Sequence, residues 1–442
     1  MRRLLVLCAL AGVFAFVACG GGGTSGTGGG AGGGSGGGTT GGGTGGGTTG
    51  GGAGGGATGG GAGGGQATGP TWYKDVLPIA RERCQSCHAA GGIAPFALET
   101  YQQAQPMAAA MANAVVARRM PPWMPDPGCG GPFVGERIMT QQEIDTLVQW
   151  SQAGAPEGNP ADAPPAPDGG LVGLPRVDAT LTMTEPYTPS AALTDDYRCF
   201  VVDPQLASAK RVVGYDIQPG VKAEVHHVII YVVDRAAAQA EDAKDTTPGW
   251  QCFGGAGINT TGALGAWAPG SGAVIYPAGT GIRLLQSQVL AMQIHYNTSS
   301  GTRVPDQTSV KLTYATGNVT DAYLLPLVAN GFQIPPNSTG YSFSKTFPNQ
   351  YFIPIKVWGL LPHMHQLGKR ITIRGNDNEC LVDIPRWDFH WQQQYFRPAP
   401  HVLPNGAGLT MTCEWDNPTA QSVRWGEGTA DEMCFAFIYA TP

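Results

Sequence analysis

Apolar residues follow different spacings in the two parts of the chain beyond residue 70. Residues 101–119 are rich in Ala and Met and contain no Gly, which is typical of a helix. Thr140 and Glu143 form a capping-box start. Apolar residues follow it at helical spacing: Ile144, Leu147, Val148 and Trp150. Beyond residue 177, short runs of alternating β-branched and aromatic residues between Gly, Pro and Asn turns predict antiparallel β-sandwiches.

The first residues of the chain have the pattern of an export signal. A basic start precedes an apolar stretch from Leu4 to Val17, which predicts a signal peptide over residues 1–19. Cys19 follows a small residue, which predicts lipid attachment as in bacterial lipoproteins, although Phe16 stands where Leu is more usual. We therefore expect an exported protein anchored by lipid to the cell envelope, at the outer membrane or cell surface. Without lipidation it would be periplasmic or extracellular.

Composition divides the rest of the chain. Residues 20–70 are almost entirely Gly, Thr, Ala and Ser without charge, so they predict a disordered, flexible tether. The helical pattern predicts a domain over residues 71–162, and the Pro- and Ala-rich residues 163–177 predict a linker. The net charge is -6 and no basic cluster occurs, which argues against nucleic acid as a partner.

The helical domain carries the pentapeptide CQSCH. Cys84 and Cys87 are three positions apart on a helical turn, and His88 follows them, which is the pattern for covalent haem attachment. We therefore predict a small all-α c-type cytochrome domain whose role is electron transfer; a metal-free redox pair is the alternative. Met120, in the rigid sequence MPPW, is the predicted second axial ligand of haem c, with Met124 as the alternative.

Five of the eight histidines lie in three strand-like segments: His226 and His227, then His295, then His363 and His365. Neutral imidazole is the commonest ligand for copper, zinc and iron, so the pattern predicts metal centres. On a strand, the spacing of His363 and His365 places both rings on one face. Adjacent His226 and His227 would face opposite ways, unless the strand is locally twisted or ends there.

Four segments in one order resemble the copper type II ascorbate-dependent monooxygenases, the family of peptidylglycine α-hydroxylating and dopamine β-monooxygenases. They are EVHHVIIY at 224–231, QIHY at 293–296, HMHQLGK at 363–369 and DEMC at 431–434. The resemblance covers about residues 197–442. It implies two jelly-roll β-sandwiches, over residues 178–318 and 319–442, each holding one copper ion at a solvent cleft.

The resemblance also implies the ligands of both ions. The first copper is held by His226, His227 and His295, and the second by His363, His365 and Met433. The thioether of Met433 favours Cu(I), the form that binds dioxygen. In that family a copper–oxygen species at this second site removes hydrogen from a C–H bond, so Met433, His363 and His365 are the expected catalytic residues. Two copper ions, one covalent haem c and ascorbate or another external reductant are the expected cofactors.

Six cysteines remain after the haem pair, Cys8 and Cys19 are set aside, and an even number in an exported protein favours disulfides. The resemblance implies a Cys413–Cys434 bridge that would clamp the strand bearing Met433. Cys199–Cys252 is a second candidate. Sequence alone assigns no partner to Cys129 or Cys380.

Some positions depart from the family pattern. Leu361 stands where peptide-hydroxylating members use Arg to grip a carboxylate, and Phe435 and Phe437 replace Asn and Tyr. These changes predict a more apolar pocket. His390, in an aromatic-rich segment, is expected in the core or pocket wall, and His401 on the surface.

The sequence therefore predicts a copper-dependent monooxygenase that hydroxylates a C–H bond of a small, apolar substrate with O2. Electrons would reach it through the fused haem c from an upstream donor, and the lipid anchor would attach it to a membrane. The alternative is a non-catalytic copper-binding or electron-transfer lipoprotein. A surface adhesion or scaffold protein would leave the histidines unexplained.

Overall fold

The structure, a computed structural model, describes residues 69–90, 94–165, 173–269, 271–299, 301, 303–389, 391–428 and 430–442. The predicted signal peptide, the lipidation residue Cys19, the Gly-rich tether up to residue 68 and His390 lie outside the described residues. Among the helices that are described, none is long and apolar enough to cross a membrane.

Residues 69–165 fold mainly into helices. In chain order they are a π-helical turn (Trp72–Val76), α1 (Leu77–Arg83), α2 (Tyr101–Ala104), a 3-10 turn (Gln105–Met107), α3 (Ala108–Val116), α4 (Gln141–Gln152) and a second 3-10 turn (Pro160–Asp162). The capping box predicted for α4 is present: the Thr140 hydroxyl accepts the Glu143 N–H at 3.2 Å, and the Glu143 carboxylate accepts the Thr140 N–H at 2.6 Å. The buried rings of Trp72 and Trp150, 5.8 Å apart, lie in the core of this helical region.

The rest of the described chain is almost entirely β-structure. The strands are β1 (Ala179–Thr182), β2 (Asp195–Val202), β3 (Lys210–Gln218), β4 (Val225–Asp234), β5 (Trp250–Gln251), β6 (Thr260–Trp267), β7 (Val274–Ile275), β8 (Thr280–Leu284), β9 (Gln288–Asn297), β10 (Ser309–Tyr314), β11 (Thr320–Val328), β12 (Gln333–Ile334), β13 (Ser338–Pro348), β14 (Ile355–His363), β15 (Gly368–Arg374), β16 (Cys380–Ile384), β17 (Tyr395–Leu403), β18 (Gly408–Asn417), β19 (Val423–Arg424) and β20 (Phe435–Thr441). One helix, α5 (Arg235–Asp242), follows β4.

These strands form two β-sandwiches, as the alternating pattern predicts. In the first, the sheet β5-β2-β9-β4-β6 packs on β1-β10-β3-β8. In the second, β13-β18-β15-β16 packs on β11-β20-β14-β17. Strand β11 pairs parallel to β8, with Thr320 opposite Thr280, while the other pairs of named strands are antiparallel. This one junction joins a sheet of each sandwich into a continuous sheet, so the two sandwiches are fused edge to edge.

A segment that we call the arm, residues 120–134, runs from the helical region onto the second sandwich. Cys129 forms a disulfide with Cys380, across a sequence separation of 251 residues. The Asp126 N–H donates to the Asp383 carbonyl at 2.8 Å, so the arm follows β16. Cys129 and Cys380, to which the sequence alone assigned no partner, therefore connect the helical region to the second sandwich.

Candidate metal centres

A β-bulge at the start of β4 explains how two adjacent histidines reach one site. Val225 pairs with Tyr296, and His227 pairs with His295, so His226 is an extra residue in the strand. A bulge breaks the alternation of side chains and turns the bulged residue toward its neighbour's face. The spacing of His226 and His227 predicts that their rings lie on opposite faces of a regular strand. The bulge explains why both rings nevertheless reach the same site.

The three histidines of the first set converge through their Nδ1 atoms. The Nδ1 of His226 lies 3.3 Å from that of His227 and 3.1 Å from that of His295, and the third separation is 3.4 Å. A point equidistant from three atoms so spaced lies about 1.9 Å from each, near the roughly 2.0–2.1 Å of metal–imidazole bonds. The triangle therefore has the size of a three-imidazole metal site.

The orientation of His295 shows why this triangle fits a cation. The Nε2–H of His295 donates to Asp195 Oδ1 at 2.9 Å, and the Asn297 amide donates to the same oxygen at 3.0 Å. In this tautomer the Nδ1 of His295 carries no proton, and its lone pair points at the other two rings. Tyr197 stacks on His295 with ring centroids 4.1 Å apart and fixes its plane. A carboxylate that orients a ligating imidazole in this way is common around protein metals.

The surroundings keep the imidazoles of the first set neutral. Burial, together with the neighbouring rings of His295, His363 and His365, lowers the pKa of His226 to about 3. Burial and the His295 ring hold the pKa of His227 well below its usual range. Burial also lowers the pKa of His295, against the opposing effect of Asp195. Neutral imidazole is the form that binds metal.

The second set lies where β14 ends. The Nδ1–H of His363 donates to Gln392 Oε1 at 2.6 Å, and the Nδ1–H of His365 donates to the Asp431 carbonyl at 2.9 Å. Their ring centroids are 5.1 Å apart. With both Nδ1 atoms occupied, each ring has its Nε2 left for a metal. Burial and the His365 ring lower the pKa of His363 to about 3, and burial lowers that of His365.

Glu432, a fully buried carboxylate, organises the backbone around the second set. It accepts the backbone N–H groups of His365 at 3.1 Å, Leu367 at 2.6 Å and Met433 at 3.3 Å. The indole of Trp415 donates to it at 2.9 Å. Burial raises the pKa of Glu432 to about 7 despite these donors. The same carboxylate thus fixes the backbone of the expected ligands His365 and Met433.

Met433 lies two residues before β20 begins. Phe435 pairs with His363, which brings this end of β20 next to the end of β14. Cys434, directly after Met433, forms a disulfide with Cys413 on β18. The remaining pair, Cys199 and Cys252, is also joined.

Aromatic contacts connect the two sets across the junction of the sandwiches. The ring of Phe389 lies 4.9 Å from that of His226 and 6.0 Å from that of His365. The Tyr197 hydroxyl donates to the Glu427 carbonyl at 2.7 Å.

One expectation about an individual residue is wrong. His401 was expected on the surface, but it is buried on β17 and its Nδ1 pairs with Glu379 at 2.9 Å. Phe437, expected to make the pocket more apolar, is buried in the core that β20 shares with the first sandwich, against which Leu361 and Phe435 also pack. Phe435 faces the second set, 6.3 Å from the ring of His363.

The haem-attachment motif lies on a turn that continues α1. The Cys87 and His88 N–H groups both donate to the Cys84 carbonyl, at 3.1 and 2.9 Å, and the two thiols are not joined in a disulfide. The Nδ1–H of His88 donates to the Phe96 carbonyl at 3.0 Å, which leaves its Nε2 free to bind iron. Burial raises the pKa of the Cys84 thiol to about 12.

The five methionines between residues 100 and 140 occupy different environments. Met107, Met111 and Met139 pack in the helical core, and Met124 packs against the second sandwich. Met120 is 36% exposed. Met124 is thus already engaged elsewhere, whereas the side chain of Met120 is open to a further contact.

Sequence reasoning missed the residues that orient the ligands. Asp195 and Gln392 have no motif around them, because they meet their histidines only through the fold. Glu432 lies within DEMC directly before Met433, and this charged neighbour of an expected ligand was a signal that could have been used.

Comparison with known proteins agrees with this geometry. Residues 320–441 match the family model of the copper type II ascorbate-dependent monooxygenase C-terminal domain. Tyramine beta-hydroxylase of Caenorhabditis briggsae is 27% identical over 249 residues, which are 51% of this chain and 41% of that protein. The match thus covers less than half of that relative. Both similarities support a relationship to the copper type II monooxygenases.

Two solved structures share only a distant likeness. The major capsid protein P2 of bacteriophage PM2 covers 60% of this chain and 97% of its own, at 6% identity and a TM-score of 0.25. N-glycanase F (PNGase F) covers 60% of this chain and 95% of its own, at 9% identity and a TM-score of 0.28. Likeness at this level carries no argument about function.

Proposed function

We propose that this protein is a copper-dependent monooxygenase that hydroxylates a C–H bond of a small, apolar substrate with O2. The observation that carries the proposal is the triangle of Nδ1 atoms from His226, His227 and His295, which has the size of a three-imidazole metal site. The match of residues 320–441 to the copper monooxygenase family supports the same class.

Two copper ions would supply the electron transfer and the activation of dioxygen that the chain itself cannot perform. His226, His227 and His295 would hold one ion, with Asp195 fixing the tautomer of His295. His363, His365 and Met433 would hold the other.

Two neighbours determine which ring nitrogen carries the proton in His363 and His365. Gln392 and the Asp431 carbonyl accept the Nδ1 protons, so the Nε2 lone pair of each ring would be available to hold a metal. The buried Glu432 carboxylate holds the backbone of His365 and Met433 in register. These groups orient ligands and keep protons on fixed atoms.

The helical region would deliver electrons through a covalently bound haem c. Cys84 and Cys87 would form the thioether bonds, His88 would bind iron through Nε2, and Met120 would supply the second axial ligand. An upstream donor or a small reductant such as ascorbate would reload the haem.

Apolar residues near the second set support an apolar substrate. Phe435 and Leu361 stand where the peptide-hydroxylating members of the family place polar or charged residues. Without that Arg, a substrate carboxylate has no partner at this position, so a small uncharged molecule fits the site better.

The test of the proposal is oxygen uptake coupled to oxidation of the reduced haem. Copper-loaded full-length protein should reoxidise its ferrous haem faster, and consume more O2, than copper-free protein when a hydroxylatable substrate is present. Equal reoxidation rates with and without copper would contradict the proposed relay.

A non-catalytic copper protein is the second candidate, because the ligand set would bind copper even without turnover. Met433→Ile distinguishes the two. In the monooxygenase, it should abolish copper-dependent O2 uptake and leave the haem absorption spectrum unchanged. Unchanged uptake would remove Met433 from its proposed role.

Export and lipid attachment at Cys19 remain part of the proposal. A membrane-anchored protein would place both copper sites outside the cytoplasm, where the three disulfides are stable.

A further inference from the structure

Four residues beyond β16 form a segment that we call the strip: Trp387, Asp388, Phe389 and Gln392. Phe389 within it contacts both histidine sets. The Phe389 ring lies 4.9 Å from the ring of His226, tilted by 30°, and 6.0 Å from that of His365, almost edge-on. The Trp387 indole N–H donates to the His365 carbonyl at 3.2 Å. One aromatic side chain therefore touches an imidazole of each set.

The backbone of Phe389 is fixed through Gln392. The Gln392 amide donates to the Phe389 carbonyl at 2.8 Å, while its Oε1 accepts the Nδ1–H of His363 at 2.6 Å. The Gln392 carbonyl accepts the hydroxyl of Ser271, from the first sandwich, at 2.9 Å. The strip is thus tied to both sandwiches.

The arm supports the strip from the other side. The Asp388 N–H donates to the Met124 sulfur at 3.3 Å. The arm itself is held to β16 by the disulfide and hydrogen bond described above. At Gly130, where φ is +75°, a Cβ atom would come within 1.9 Å of the Leu381 carbonyl oxygen, so only glycine allows this approach.

We infer that Phe389 is a positioning residue that covers His226 while contacting a ring of each histidine set, and that the arm keeps it in place. The inference deepens the proposed function, since it describes how a ring that contacts both proposed copper sites covers a ligand of the first. Removing the ring should open a void beside His226 and let water and small reagents reach its imidazole.

The test measures the reactivity of each histidine toward diethyl pyrocarbonate in full-length, copper-free protein at neutral pH, by peptide mass spectrometry. Phe389→Ala should raise the modification rate of His226 several-fold and that of His365 by less, because its ring is farther away. Phe389→Leu should give a smaller increase. Phe352→Ala, at a phenylalanine that is 91% exposed, is the matched control and should change nothing.

The buried His401 serves as an internal reference for general loosening of the fold. Phe389→Ala could speed the reaction of His226 and His401 to the same degree, which would indicate general loosening. In that case Phe389→Leu decides whether the inference holds, because in this variant the rate at His226 must still rise relative to that at His401. An unchanged rate at His226 in both variants overturns the inference.

Met124→Ala tests the contribution of the arm. It should raise the His226 rate in the same direction as Phe389→Ala but by less, and an unchanged rate would show that the strip needs no support from the arm. These measurements need no copper and no turnover. If the protein failed to bind copper, the proposed function would fail while the protection of His226 by Phe389 would stand.

Discussion

The two histidine sets present neutral imidazoles but are built in different ways. The first lies on β4 and β9, central strands of one sheet, and points three Nδ1 atoms at one position. The second lies at the end of β14 and in the turn that follows it, and offers two Nε2 atoms. A carboxylate orients a ring of the first set, whereas an amide and a backbone carbonyl orient the second.

If both sets bind copper as proposed, the difference would divide their roles. A complete triangle of imidazoles on paired strands favours a fixed ligand geometry, which suits electron transfer with little rearrangement. The second set has only two imidazoles and an adjacent thioether, and its surroundings are loop segments. An incomplete set with a soft ligand suits a Cu(I) ion with positions open for O2.

Removing one imidazole from either set should have the largest effect. We expect His295→Ala and His363→Ala each to lower the copper content from two ions per chain to one and to reduce copper-dependent O2 uptake more than about 100-fold, beyond the loss typical of ligand-orienting groups. Elemental analysis and an oxygen electrode measure both quantities. If His295→Ala kept two tightly bound coppers, the first set would not be a site.

The orienting residues should have intermediate effects, each larger at one site. Asp195→Asn should weaken copper binding at the first site by about 10- to 100-fold and leave the second unchanged, because a neutral amide accepts the His295 N–H less strongly than a carboxylate does. Gln392→Leu should weaken the second site by a similar factor through His363, and the first site by less, because Gln392 also holds the backbone of Phe389 beside His226. Competition with a copper chelator measures both affinities, with the exposed Asp162→Asn as the control. Equal weakening of both sites in either variant would contradict the separate construction of the sets.

The disulfides should give the smallest effect on copper. Cys380→Ser should lower the free energy of unfolding by about 2–5 kcal/mol, because it opens a long covalent loop, but leave two coppers bound. Cys413→Ser, in contrast, should also disturb the second site, since its partner Cys434 follows Met433. Urea unfolding and copper analysis separate the two outcomes. Loss of copper from Cys380→Ser would show that the arm is part of a metal site.

The β-sandwiches could be predicted from the sequence because alternation of apolar residues reports a half-buried strand directly. The convergence of His226 and His227 could not, because a bulge leaves no mark in a period-two pattern. The family resemblance supplied that grouping instead. The pairings of Cys129 with Cys380 and of His401 with Glu379 also could not be predicted from local sequence patterns, because they depend on how distant parts of the chain pack.

The most direct test of the central claim is metal analysis of the purified full-length protein combined with copper X-ray absorption. The account predicts two copper ions per chain, bound by five imidazole nitrogens and one sulfur in total, with the sulfur signal absent from Met433→Ile. A preference for zinc over copper, or fewer than two copper ions in the intact protein, would contradict it.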